Sequence, residues 1–514
     1  MSRTSGLYSS VQRRIINEML KMAGSGDKKK ILRTMQLAEK VTPDEYKGVV
    51  RHVKGKIDAD HPALGIARHV SQDLSPKCRE RFIECLIINT LLRGVAKRKE
   101  FMAKAPGLWA PTTILISPTM RCNLSCAGCF AGEYSPDQDL EPELLQSIVE
   151  QANEMGVYFF TILGGEPLMY DGLLDLAAAN QECYFQVYTN GTLLDERLVD
   201  ELAGLGNVAP MLSLEGDEAS TDARRGKGVY RHLLAMMDLL GERGVLFGYS
   251  ATVTRDNWRM LVSDEWVDPL IARGAVLSWN FLYMPIGRDP IVAPMLTAEE
   301  RKAFREGVWR LRDTKPIFTV DFWGDAPYVQ GCIAGKHYMH IDSEGWVEPC
   351  IFTHFATDNI RDTSLADAFN SPFFREIRSR QPFSHNLFKP CMLIDQPEQS
   401  REIMALTGAR PTHPGAESLF TELSRDIDEY STDVDQVYAP VWDCYVAGRE
   451  AGGNGHGPVA SRSALGAETM DDETVGVRPR PSRGGPRPYG GIARSGAEER
   501  LRQAGPAVDT EGES

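Results

Sequence analysis

From Thr112 to Tyr283 the chain repeats one pattern, a short β-branched or aromatic run followed by a stretch with helical spacing. TTILISP leads through a cysteine-bearing loop to ELLQSIVEQANEMG; YFFTIL precedes LLDLAAAN, and YFQVYT precedes DERLVDELAGLG. APMLSL precedes YRHLLAMMDLLGERG, FGYSATV precedes a helical stretch from Trp258 to Ala272, and AVLSWNFLY closes the series near 283. Strands joined by helix-length crossovers pair in parallel. The pattern therefore predicts an α/β fold, a partial (β/α)6 parallel barrel. Parallel sheets place their chemistry at the carboxyl ends of the strands, so the loops there are where functional residues are expected.

On either side the texture differs. Helical spacing such as Leu7, Val11, Ile15 and Met19, then Phe82, Cys85, Leu86 and Leu92, predicts a helical domain over 1–105. The barrel is expected over 106–296. A further helix over 297–313 opens a small α+β, cysteine-containing module over 297–448. The Gly, Pro, Arg and Ser texture of 449–514 cannot bury enough apolar surface to fold and is expected to be disordered.

Charge and hydropathy narrow the function classes. A net charge of -14 excludes general nucleic-acid binding, which needs a basic face. No run of about twenty apolar residues occurs and the first thirty residues lack an apolar signal centre, so the cytoplasm is the expected compartment. Residues 1–56 are locally basic, with thirteen Lys or Arg against five Asp or Glu. That is read as a solvated helical face, with contact to a lipid or membrane surface as the alternative.

Ten cysteines in a chain without an export signal do not read as a disulfide framework. Cys78, Cys85 and Cys183 lie in apolar or helical patterns and are expected to be buried small hydrophobes. Seven remain. Cys122, Cys126 and Cys129 form C-x3-C-x2-C on the loop after the first strand. Three thiolates there can hold three irons of a [4Fe–4S] cube and leave the fourth open to chelate a substrate. A zinc knuckle would need a fourth ligand, and no histidine lies between His69 and His232 while Cys183 belongs to an apolar run.

This loop and the motifs behind it resemble the radical S-adenosylmethionine (SAM) superfamily over residues 112 to 288. The resemblance implies that the open iron binds the amino and carboxylate groups of SAM. It also implies that an electron from the cluster, supplied by a reductant such as flavodoxin or ferredoxin, cleaves a carbon–sulfur bond, and that the resulting 5′-deoxyadenosyl radical abstracts a substrate hydrogen. Gly164, Gly165, Glu166 and Pro167 end the second strand and resemble the family's motif for the methionine amino group; glycines there let backbone approach closely, and a glutamate can accept from an ammonium. Asn190, in TNGT, ends the third strand, where Asn-Gly alone signals a turn. SLEG, with Ser213 and Glu215, resembles an S-x-D-G segment contacting the ribose or methionine side, with glutamate in place of aspartate. Arg225 resembles an arginine that pairs with the cofactor carboxylate, an exposed ion pair being the other reading. Gly128 departs from the family, which often carries an aromatic residue there; Phe130 follows instead. MPIGR, ending at Arg288, closes the sixth strand.

Cys332 and Cys350, with Gly345 five residues before the latter, resemble the opening of the SPASM and twitch domains, which hold auxiliary iron–sulfur clusters in radical SAM enzymes that often modify peptides. A glycine turn between short strands would bring such thiolates together. Fewer cysteines follow than in a full SPASM pattern. One auxiliary cluster held by Cys332, Cys350, Cys391 and Cys444 is therefore expected, with structural zinc as the alternative because four thiolates suit either metal and His337, His340 and His354 lie near.

The expected activity is hydrogen abstraction from an unactivated C–H bond of a peptide or protein, with a lipid or a small metabolite such as a sugar as alternatives. A metal-binding scaffold or electron carrier without radical chemistry is the competing class, against which GGEP and SLEG count. Tyr283, Asp321 and Trp323 are placed either facing the cavity or in the core, and no catalytic acid or base is assigned.

Overall fold

The computed structural model describes residues 58–450, the side chains as far as 448, together with scattered positions between 29 and 55. The helices expected around Leu7 to Met19 and the tail expected to be disordered beyond 450 lie outside the described residues. Each predicted strand is present: β1 Ile114–Ile116, β2 Phe159–Ile162, β3 Tyr184–Thr189, β4 Val208–Ser213, β5 Gly248–Val253 and β6 Leu277–Leu282. All five neighbouring pairs are parallel and follow chain order. The helices between them start and stop on local chemistry. Asp195 caps Glu196–Leu205 by accepting from the Leu198 amide at 2.8 Å, and Gly156, at φ +89°, ends Pro142–Met155.

The sheet is larger than the sequence pattern indicates. β7, Phe318–Asp321, adds in parallel to β6. At the other edge β8, His340–Ile341, pairs in parallel with β1 and antiparallel with β9, Trp346–Glu348, which pairs with β11, Asp358–Asn359. A two-stranded ribbon joins β10, Phe355–Ala356, to β12, Arg410–Pro411. The ten-stranded sheet thus runs from the cysteine module into the barrel. The helix expected over 297–313 spans Ala298–Thr314 behind a Thr297/Glu300 capping box. A 27-residue helix, Ser424–Glu450, closes the α+β module, a length that the sequence pattern did not indicate.

Register fixes the two faces of the sheet. Tyr249 on β5 meets Trp266 of the helix Asp264–Ala272 edge-on at 5.0 Å, so this face is the helix-covered one. Its neighbours Gly248, Ser250 and Thr252 face the barrel interior with their register partners Met211, Ser213, Leu277, Trp279 and Phe281. Cys78, Cys85 and Cys183 are buried as expected, and Cys85 packs the helical layer onto the strand loops through its thiol at 3.2 Å from the Gln181 carbonyl. Among the described residues no helix is long and apolar enough to cross a membrane.

Candidate active site

The cysteine loop lies over the carboxyl ends of β1 to β6, held from several sides. The Gly165 amide donates to the Thr119 carbonyl at 3.1 Å and the Glu166 amide to the Arg121 carbonyl at 2.8 Å. A Cβ on Gly164 would stand 2.2 Å from the Thr119 oxygen, and one on Gly165 would stand 2.3 Å from the Arg121 oxygen. The glycines are therefore required by the cysteine loop itself, which crosses directly over them.

Glu166 is tied into the protein at the same strand end. Its fully buried carboxylate accepts from the Thr189 hydroxyl at 2.6 Å, the Leu168 amide at 3.1 Å and the Asn190 amide at 2.7 Å. Burial pushes this carboxyl up, while these three donors pull the other way. It ties the end of β2 to the end of β3, and Pro167 starts the short 3-10 turn that follows. Asn190 carries the tie onward, its amide donating to Asn123 at 2.8 Å and lying 3.9 Å from the Cys122 sulfur.

Glu215 is the second anchor. One oxygen accepts from Arg224 Nη1 at 2.6 Å and from Arg225 Nη2 at 2.5 Å, and the other accepts from the Thr252 amide at 3.0 Å. The two guanidiniums outweigh burial and hold this carboxyl below its usual range. The Arg225 ion pair exists, but with 12% and 3% of the two side chains exposed it is buried rather than exposed. Arg225 also faces Cys126 and lowers a thiol that burial otherwise raises. Ser213 sits on the interior face of β4, beside Ser250.

Arg224, which the sequence reading did not single out, and Arg288, to which it assigned no contact, complete the frame. Arg224 reaches past Glu215 to the carbonyls of Ala127 at 3.1 Å and Gly128 at 3.3 Å. The Arg288 amide donates to the Cys129 carbonyl at 3.0 Å, and its guanidinium approaches the Cys126 carbonyl at 3.3 Å. The available signals were the doubled arginine at 224–225 and the end of MPIGR. Tyr283 is 5% exposed, and a Cβ on Gly128 would lie 2.6 Å from its ring, so this ring fills the space beside the position where the family often carries an aromatic residue. Asp321 and Trp323 are both buried, and Asp321 accepts from the amides of Trp323 and Gly324.

The second thiol set gathers behind the β8–β9 hairpin, whose turn uses Gly345 at φ +85°. Cys332, Cys350 and Cys391 act on one another electrostatically, and burial drives all three thiols up, Cys350 to about 11 and Cys391 to about 12. The Tyr338 hydroxyl donates to the Cys350 sulfur at 2.7 Å. Cys444 instead sits exposed near the end of the helix Ser424–Glu450, which corrects its inclusion in this set. His340 is not turned to the thiols. It bridges Ser117 and Glu348, each at 2.7 Å, while Glu348 also accepts from Tyr134 at 2.7 Å. His354 is paired with His413 at 2.7 Å. Among the described residues no three His, Cys, Asp or Glu side chains converge closely enough for a single metal ion. Both thiol triplets are grouped on the looser scale of a cluster, each within electrostatic reach of its own members.

Comparison with known proteins agrees with this geometry. Residues 116–260 match the Radical SAM superfamily, and residues 332–392 match SPASM, described as an iron-sulfur cluster-binding domain. The chain therefore carries a radical SAM domain and a SPASM domain, domain types that imply a [4Fe–4S] cluster with SAM and auxiliary iron–sulfur. It is 25% identical over 316 residues to the AdoMet-dependent heme synthase of Nitratidesulfovibrio vulgaris, covering 54% of this chain and 84% of that protein. It is 29% identical over 297 residues to the mycofactocin maturase MftC of Mycobacterium tuberculosis (54% and 74% covered). It is 25% identical over 276 residues to the sporulation killing factor maturation protein SkfB of Bacillus subtilis (50% and 65%). Streptococcus suis SuiB bound to S-adenosylmethionine shares the fold at a TM-score of 0.50 and 22% identity, over 58% of this chain and 76% of that one.

Proposed function

We propose that this chain abstracts hydrogen from an unactivated C–H bond of a peptide or protein substrate. The observation that carries the proposal is the cysteine triplet held over the strand ends by Glu166, Asn190, Arg224 and Arg288, next to Arg225. Cys122, Cys126 and Cys129 would hold the [4Fe–4S] cluster, which with SAM supplies the radical that takes the hydrogen. Asn190 and Arg288 keep the loop in register over the barrel mouth. Glu215 orients Arg224 and Arg225, and Arg225 provides a buried cation for an anionic group such as a carboxylate. The enclosed interior below keeps water from a reactive carbon centre. Cys332, Cys350 and Cys391 would hold the auxiliary cluster.

The peptide reading is supported by similarity to two proteins named for maturation, MftC and SkfB. A small-molecule substrate is the second reading, favoured by similarity to AdoMet-dependent heme synthases. Anaerobic incubation of reduced, reconstituted protein with SAM tests the shared chemistry. Formation of 5′-deoxyadenosine that is lost in Cys126→Ala supports it, and no 5′-deoxyadenosine from the wild-type protein overturns it.

A further inference from the structure

The barrel interior is lined unevenly. On β4 and β5 the inward positions are small: Ala209, Ser213, Gly248, Ser250 and Thr252, with Met211 the one long side chain among them. Opposite them stand rings. Tyr188 on β3 meets Trp279 at 6.4 Å and Phe281 at 5.8 Å, both on β6. Two strands separate β3 from β6, so these rings touch across the inside of the curved sheet and not along it. Trp279 and Phe281 stack at 14° and 5.9 Å, and Phe322 closes on both at 6.2 and 5.2 Å.

These rings are deep but not sealed. Burial pushes the Tyr188 hydroxyl well above the ordinary phenol range, yet Tyr188, Trp279, Phe281 and Phe322 all keep accessible surface. A side chain that is both deep in a fold and accessible borders a cavity. The wall continues through Phe352, 6.2 Å from Phe281, to Phe130, which directly follows Cys129. The wall therefore reaches the cysteine loop, where a radical would arise. The inward positions of β4, β5 and β6 carry no charged side chain, and Trp279 Nε1 is buried with no hydrogen-bond partner.

We infer that this cavity receives an aromatic side chain of the peptide substrate, stacked against Trp279, Phe281 and Tyr188, and that these three residues determine which residue of the peptide is modified. The inference rests on the radical peptide-modification reading above and adds the side-chain class to it. A cation would lose its hydration with no anionic side chain on the inward positions of β4, β5 and β6, whereas a ring replaces water with offset and edge-on contacts and fills the room left by the small β4 and β5 positions.

The test uses anaerobically reconstituted holoenzyme with SAM, and three probes followed by saturation-transfer NMR: N-acetyl-L-tyrosinamide, N-acetyl-L-phenylalaninamide and N-acetyl-L-lysinamide. The aromatic amides are expected to bind at least about tenfold more tightly than the lysine amide. Phe281→Ala and Trp279→Leu are each expected to weaken the aromatic amides by roughly threefold to tenfold, the worth of one ring contact. Circular dichroism and iron content identify a variant that has failed to fold, and the wild-type comparison stands without variants. Equal binding of all three amides, or aromatic binding unchanged in both folded variants, overturns the inference. Measuring 5′-deoxyadenosine in the same samples separates the two readings. Its formation without aromatic discrimination removes the side-chain preference alone; its absence beside intact discrimination removes the radical chemistry alone.

Discussion

Glu215 shows how much one side chain holds at this site. It binds two guanidiniums and a backbone amide, and one of those guanidiniums also grips the cysteine loop. Glu215→Gln leaves two largely buried cations short of a counter-charge, so a loss of about 3–5 kcal/mol is expected, read as a fall in the thermal midpoint and in iron retained on reconstitution. Asp342 makes a pH-dependent prediction. Burial and the nearby Glu348 push its carboxyl up to about 8, so the folded protein keeps a proton that the unfolded chain releases near the ordinary carboxyl value of about 4. The unfolded state binds fewer protons between those values, and stability therefore falls as pH rises from about 4 toward 8, by at most about 1.4 kcal/mol per pH unit. Glu348, likewise pushed up to about 8 by burial, acts in the same direction, so thermal midpoints measured across that range should decline in the wild-type protein and decline less steeply in Asp342→Asn. At this scale the cysteines, Glu166, Asn190 and Glu215 were legible because their types and spacing carry chemistry. Several of their partners were not, since the Thr189 and Asn190 donors lie 23 and 24 residues from Glu166 and the Thr252 amide lies 37 from Glu215, on strand ends that only the fold brings together.

Among elements, the β6 exit and the cysteine loop are fitted to each other. Tyr283 fills the volume beside Gly128, and a Cβ on Gly287 would meet the Cys129 carbonyl at 2.3 Å. Gly128→Phe should therefore displace the loop and lower iron content and SAM affinity, by tenfold or more for the latter, while adding Tyr283→Ala should restore part of both, the strain of a side chain at φ +59° remaining. Additive losses in the double variant would contradict this packing account. The six barrel strands could be read from period and composition because each is a compact apolar run between turn signals. β7 was missed because PIFTVD follows a helix that the pattern had already assigned to another module. The helix Ser424–Glu450 was missed because its polar composition and Pro440 mask the apolar spacing of Val434, Tyr438 and Trp442. That helix is also what places Cys444 away from the thiol set.

Across the whole molecule, the SPASM portion is built into the barrel sheet. β8 lies beside β1, and the Ser117–His340–Glu348–Tyr134 chain connects the end of β1, the cysteine loop and the strand leading to Cys350. If the two thiol triplets on this sheet hold separate clusters, as proposed, their losses should be separable. Cys350→Ala should retain at least some 5′-deoxyadenosine formation in the absence of substrate, measured by chromatography, whereas Cys126→Ala should retain none. No one-residue signal in the sequence reveals this joined architecture, because a two-residue strand pairing with a strand more than two hundred residues away leaves no local period.

The central claim is that the loop at 122–129 alone binds a cubane with one iron open to SAM. Electron paramagnetic resonance of the reduced Cys332→Ala/Cys350→Ala/Cys391→Ala variant isolates that site. The account predicts a single [4Fe–4S] signal whose shape changes when SAM is added. A missing signal in folded protein, a signal indifferent to SAM, or zinc in place of iron would contradict it.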